Sequence, residues 1–164
     1  MVNKTNFTSE EWKTLLEATM MSGLAVTAAT PSDILVLKES FAASGAIIEG
    51  QSASDELVKA IEADFETSEG RTFAKEGFRE KMAGAKAADL KAKSLETLKQ
   101  AAALLEAKAP ADAAAVKQWF YHISEKVADA GADADGGLMG FGVTKVTDAE
   151  KAALSEISAA LKLA

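Results

Sequence analysis

Five carboxylates crowd one stretch of the chain. Asp129, Asp133 and Asp135 fall within seven residues, and Asp148 and Glu150 follow across the glycine-rich segment Gly131–Val146, GADADGGLMGFGVTKV. Hard cations such as Ca²⁺ take about six to eight oxygens, often from carboxylates and carbonyls of one glycine-containing loop. Asp129, Asp133, Asp135 and Glu150 are therefore the candidate ligands of a divalent cation. The segment is not an EF-hand. With Gly136 in the invariant glycine position, Asp133 and Asp135 take the third and fifth positions, but Gly131 stands where the first Asp belongs and Gly142 where the bidentate Glu belongs. The competing reading is a solvated acidic helix end and loop, with Glu150 taken up by a helix cap.

Other residues in the segment carry different chemistry. Gly137-x-x-Gly140-x-Gly142 is not a phosphate loop, because no strand precedes it and no Gly-Lys-Ser/Thr follows. Leu138, Met139 and Phe141 form an apolar tip where loops are usually polar. They either fold back as a lid on a helix groove or dock to a protein partner, since exposed apolar clusters favour association. His122 is the single histidine, three residues after Trp119, and is expected to be half-buried and hydrogen-bonded. With one histidine and no cysteine, the usual nucleophile–base pairs are scarce, and thiolate chemistry and Cys-ligated metals are excluded. Glu125 follows His122 by three residues, the reverse of the Glu-x-x-His order of di-metal bundles, and the pattern occurs once. No catalytic constellation emerges, so a non-enzymatic protein with no cofactor beyond a divalent cation is expected.

The whole-chain composition narrows the partners. The formal net charge of −7 argues against duplex nucleic acid, whose binding rests on phosphate neutralisation. The longest uncharged apolar run, near Met20–Ala29, is well short of the ~20 residues of a membrane span. A basic region followed by an apolar core, the mark of a secretory signal, is not found at the N-terminus, so a cytoplasmic location is the expectation. Residues 71–108 are locally basic, with Arg71, Lys75, Arg79 and further lysines interleaved with acids. That suits a solvated helical surface, or self-association with another copy's acidic end.

The elements that must position these residues are helices. Hydrophobic residues make up 48% of the chain but aromatics only 6%, so alanine, the strongest helix former, supplies much of the apolar share. The spacing predicts one all-α domain over residues 1–164, a bundle of about seven helices. The first starts near Thr8, which with Glu11 forms a capping box, and carries Trp12, Leu16, Met20 and Leu24 as its stripe. The second spans about 33–48, with Ile34, Leu37, Phe41 and Ile48 inward. The third spans about 55–66, with Leu57, Val58, Ile61 and Phe65 inward and Glu56, Lys59 and Glu62 outward. Ser68 is expected to cap the fourth, whose apolar residues are Phe73, Phe78 and Met82 and which Gly77 weakens by about 1 kcal/mol. The fifth, about 87–108, carries Leu95, Leu98, Ala102 and Leu105. The sixth, about 111–130, carries Val116, Trp119, Phe120, Ile123 and Val127. The last starts at Thr147, again boxed by Glu150, with Leu154, Ile157 and Leu161 inward. The expected core includes Trp12, Leu16, Leu24, Phe41, Ile61, Leu98, Trp119, Ile123 and Leu154. The first and last helix pairs also suggest two pseudo-repeated helix–loop–helix units.

At Val127-Ala128-Asp129-Ala130, Asp133-Ala134-Asp135-Gly136 and Val146-Thr147-Asp148-Ala149-Glu150, the chain resembles the TerB-like tellurite-resistance family. That family's pattern runs from a Val/Ala-rich helix end through Ala-Asp-Gly to a helix opening with Glu. Asp135-Gly136 matches the Asp-Gly, and Glu150 the Glu. The insertion Gly137–Lys145 is a departure, as is Thr30-Pro31-Ser32 where the first unit would carry Asp-Gly. Gly137-Leu138-Met139-Gly140-Phe141-Gly142 is similar to the Gly-Phe-Leu-Gly-Phe-Gly loops of a bacterial all-helical family. The resemblance implies a stress-associated cytoplasmic helical module without known catalysis. Two functions follow as expectations: a module whose loop acids engage a divalent cation, or a scaffold that binds a protein partner through Leu138, Met139 and Phe141.

Overall fold

A computed structural model describes residues 2–29, 45–47, 49, 53–134 and 146–163. Local hydrogen bonds open each helix. A 3-10 turn, Lys4–Asn6, leads to Thr8, whose hydroxyl accepts from the Glu11 amide while Glu11 Oε2 accepts from the Thr8 amide at 2.7 Å. This box opens α1, Ser9–Thr27. Asp55 accepts from the amides of Leu57 and Val58 and opens α2, Glu56–Glu66. Then come α3 (Ser68–Met82), α4 (Ala87–Lys108), α5 (Ala113–Ala134) and α6 (Asp148–Ala160). Among the described residues there is no strand, and the protein is an all-α bundle. No helix among them is long and apolar enough to cross a membrane.

The first helix is the centre of the bundle, in contact with α3, α4, α5 and α6. It is buried almost all round, from Trp12 through Leu15, Leu16, Ala18 and Met21 to Ala25 and Val26. Small residues let the neighbouring helices approach. Their hydroxyls are satisfied by the backbone, as buried polar groups must be: Thr19 donates to the Leu15 carbonyl at 2.9 Å, and Ser124 of α5 crosses to the Ser22 carbonyl of α1 at 2.9 Å. Gly77 serves the α1–α3 contact. A Cβ there would overlap the buried Glu17 carboxylate, which pairs with Lys81 at 2.7 Å. The glycine that weakens α3 as an isolated helix lets it lie close to α1.

Several expectations need correction. Leu24 and Leu154 are only partly buried. Steps of four residues overshoot a helical turn by about 40° each, so Leu24 lies about 120° round from Trp12, and the buried face has moved to Ala25 and Val26. In α6 the buried stripe is Glu150, Ala153, Ile157, Ala160 and Leu161, and Leu154 stands one residue beside it. Glu62, expected outward, is 2% exposed, while Phe65 is only partly buried. Thr67 rather than Ser68 caps α3, accepting from the Gly70 amide at 2.8 Å. The helix expected to stop at Ala130 runs on to Ala134, so Gly131–Ala134 belong to α5 rather than to a loop. Most of the helix expected over 33–48, including Phe41 and half of the pseudo-repeat, lies outside the described residues; Gly45–Ile47 are helical.

Candidate functional site

The candidate cation ligands sit in different settings. Asp129 is exposed on α5. Asp133 is on the last turn of the same helix, four residues on, with its side chain outside the described residues, as is the whole of Asp135. Glu150 is 1% exposed and engaged by its own helix: Oε2 accepts from the Thr147 amide at 2.7 Å and from the Thr147 hydroxyl at 2.9 Å. Among the described residues no three acids, histidines or cysteines come together as a metal-holding group. The apolar tip, Leu138, Met139 and Phe141, lies outside the described residues.

His122 is half-exposed beside a carboxylate. Its Nε2 stands 2.9 Å from Glu49 Oε2, and its Nδ1 3.9 Å from Glu125. Lys126 approaches the other Glu49 oxygen at 3.6 Å. The hydrogen bond to His122, assisted by the charge of Lys126, holds Glu49 below the usual carboxylate range. The neighbouring Trp119 is buried and donates its indole N–H to the Ala46 carbonyl at 3.3 Å.

A cleft of about 620 Å³ opens elsewhere, where the N-terminal segment, the start of α1, the end of α2 and the start of α3 meet. It is built from local features. Phe7 precedes the Thr8 cap and meets Trp12 four positions into the helix, ring centroids 5.7 Å apart, as a hydrophobic staple. The α2–α3 corner is tight. Thr67 donates its amide and its hydroxyl to the Asp64 carbonyl, at 3.1 and 2.8 Å, and Arg71 reaches back to the carbonyls of Phe65 and Glu66. Gly70 lies so close to this carbonyl that a Cβ would overlap it. The corner aims the Asp64 side chain at α1, where the Trp12 indole N–H donates to Oδ2 at 2.6 Å. Lys4 closes the group, its ammonium 2.9 and 3.1 Å from the two Asp64 oxygens and 5.9 Å from the Trp12 ring centroid. Phe73, Glu69 and Glu76 of α3 line the opposite wall. Chemically this is a cleft with Phe7 and Trp12 buried beneath it, Phe73 partly exposed, one carboxylate fixed in place and the exposed acids Glu69 and Glu76 on α3.

Of these residues the sequence marked Trp12 and Phe73 as apolar helix positions and Thr8 and Ser68 as caps, and none of them as a site. Phe7-Thr8-x-x-Glu11-Trp12 is nonetheless a staple-and-box pattern, and it marks this helix entrance. Asp64 carries no local signal, because its partners lie 52 and 60 residues away in the chain. In comparisons with family models, curated proteins and solved structures, the chain matches none.

Proposed function

We propose that this protein is a non-catalytic helical module that binds a small apolar ligand in the Trp12 cleft. The observation that carries this reading is a cleft of about 620 Å³ with the partly exposed Phe73 on its wall, the buried Phe7 and Trp12 beneath it and Asp64 beside them. Ligand pockets commonly enclose ~300–1,000 Å³ and combine apolar walls with a few placed polar groups. The Asp64 carboxylate is oriented before any ligand arrives, by the Trp12 indole and by the Gly70 corner that presents it. Preorganisation of this kind lowers the cost of binding. The cation reading of Asp129, Asp133, Asp135 and Glu150 draws less support, since the Thr147 cap already engages Glu150. The stress-associated role implied by the TerB-like resemblance is compatible with a binding module and names no ligand.

The test is a titration of ¹⁵N-labelled protein with a set of naphthalene- and indole-bodied fragments. The two tryptophans provide an internal comparison, because both are buried and only Trp12 borders the cleft. Fragments should move the Trp12 indole N–H and the amides of Phe7, Gly70 and Phe73 while leaving the Trp119 indole in place. If no fragment moves Trp12, or Trp119 moves as much, the reading is rejected.

A further inference from the structure

Resting on that reading, we infer that the cleft selects an organic cation, an ammonium group on a flat apolar body, and that Lys4 is a tethered occupant of the ammonium seat. The seat is the Asp64 carboxylate at the edge of the buried Trp12 indole. The carboxylate is the fixed partner, 14% exposed and held by the indole N–H at 2.6 Å. The lysine is the loose one, with a side chain 57% exposed on the segment before α1. Its ammonium meets both carboxylate oxygens and stands within cation–π range of the ring. Lys13, which does not line the cleft, stands 5.6 Å from the Phe73 ring centroid and is paired with Glu80 at 2.7 Å.

The charges point the same way. Lys4 offsets Asp64. The positive end of α3, worth about half a charge, is answered by Glu69 in its own first turn. That leaves Glu76, a second cleft carboxylate on α3 without an ion-pair partner among the described residues. The lining is therefore net negative through Glu76, and an anion would enter against it. A cationic ligand meets attraction from Glu76 and, once it displaces Lys4 from an individually weak ion pair, from Asp64. A tethered competitor lowers apparent affinity by its local concentration, so removing it should tighten binding.

The experiment compares naphthylethylamine with naphthylacetate, the same body with opposite charge, on the wild type and on Lys4→Ala. Calorimetry gives the affinity and the Trp12 indole N–H gives the place. The expected result is that the amine binds at least tenfold more tightly than the acetate, and that Lys4→Ala tightens the amine roughly fivefold. Acetate binding as tight as the amine, or an amine affinity unchanged or weakened by Lys4→Ala, overturns the cation selection and the tethered role while leaving the cleft as a binding site. Failure of both probes to move Trp12 removes the cleft reading and this inference together. The wild-type comparison of the two probes decides the charge preference without recourse to the variant.

Discussion

Replacing Gly70 by Ala sets two effects of opposite sign against each other at the corner that positions Asp64. Alanine is the better helix former, worth about 0.5–1 kcal/mol in a helix interior. The added methyl, however, falls on the Asp64 carbonyl, a backbone atom that cannot rotate away. The end of α2 must move, and overpacking of this kind costs about 1–3 kcal/mol. The movement also strains three hydrogen bonds: Thr67 amide and hydroxyl to the Asp64 carbonyl, and Gly70 amide to the Thr67 hydroxyl. At about 0.5–1.5 kcal/mol each, partial loss of these outweighs the helix preference, and the net expectation is destabilisation by about 2 kcal/mol. Urea melts with a fixed slope measure this, with Gly45→Ala as the control: a Cβ at the helical Gly45 meets nothing within 4 Å among the described residues, so that change should be neutral or stabilising. The Trp12 indole N–H should shift in Gly70→Ala, because its acceptor moves with the corner. Equal or greater stability of Gly70→Ala, with the indole signal unmoved, would refute the account of the corner.

Leu98 is fully buried in α4, and Leu98→Ala should cost about 2–5 kcal/mol in denaturant melts; a loss under about 1 kcal/mol would contradict the packing of that face. Asp112 is pushed above the ordinary carboxyl range by burial, then by the charge and hydrogen bond of Asp55. The folded state therefore holds this proton more tightly than the unfolded chain. The resulting stabilisation is whole below the unfolded value of about 3.9 and is lost as pH rises through the higher folded value. Asp112→Asn should thus melt above the wild type at pH 7, with the gap closing as the pH falls to about 4; a lower melting temperature at pH 7 is the contrary result. Glu150→Ala removes half of a capping box and should cost about 0.5–2 kcal/mol, the same with and without millimolar Ca²⁺. A wild type that Ca²⁺ stabilises, beside a Glu150→Ala that it does not, would instead make Glu150 a cation ligand.

What the sequence alone determined is local. The boxes Thr8/Glu11 and Thr147/Glu150 join residues three apart, so their hydrogen bonds depend on nothing outside one turn of helix, and both form. The stripes Leu57, Val58, Ile61, Phe65 and Leu95, Leu98, Ala102, Leu105 are likewise written each in one helix, and all of them are buried but Phe65 and Leu95, which are partly so. The contact of Phe7 with Trp12 is as local, five residues apart, though Phe7 did not stand out in the sequence. Tertiary structure decided whatever depends on which surface lies opposite. Periodicity identifies a face but not its width, so α1, surrounded by neighbours, buries residues all round while Leu24 rolls out of the core. Gly77 reads as a weakness until Glu17 of another helix is seen against it, and Glu62 reads as solvent-facing until its surroundings close over it. The cleft is the extreme case. Lys4, Trp12 and Asp64 share no spacing that marks them, and only the turn from α2 into α3 carries the carboxylate to the indole and the ammonium, because a seat for a ligand is a relation between elements rather than a property of any one of them.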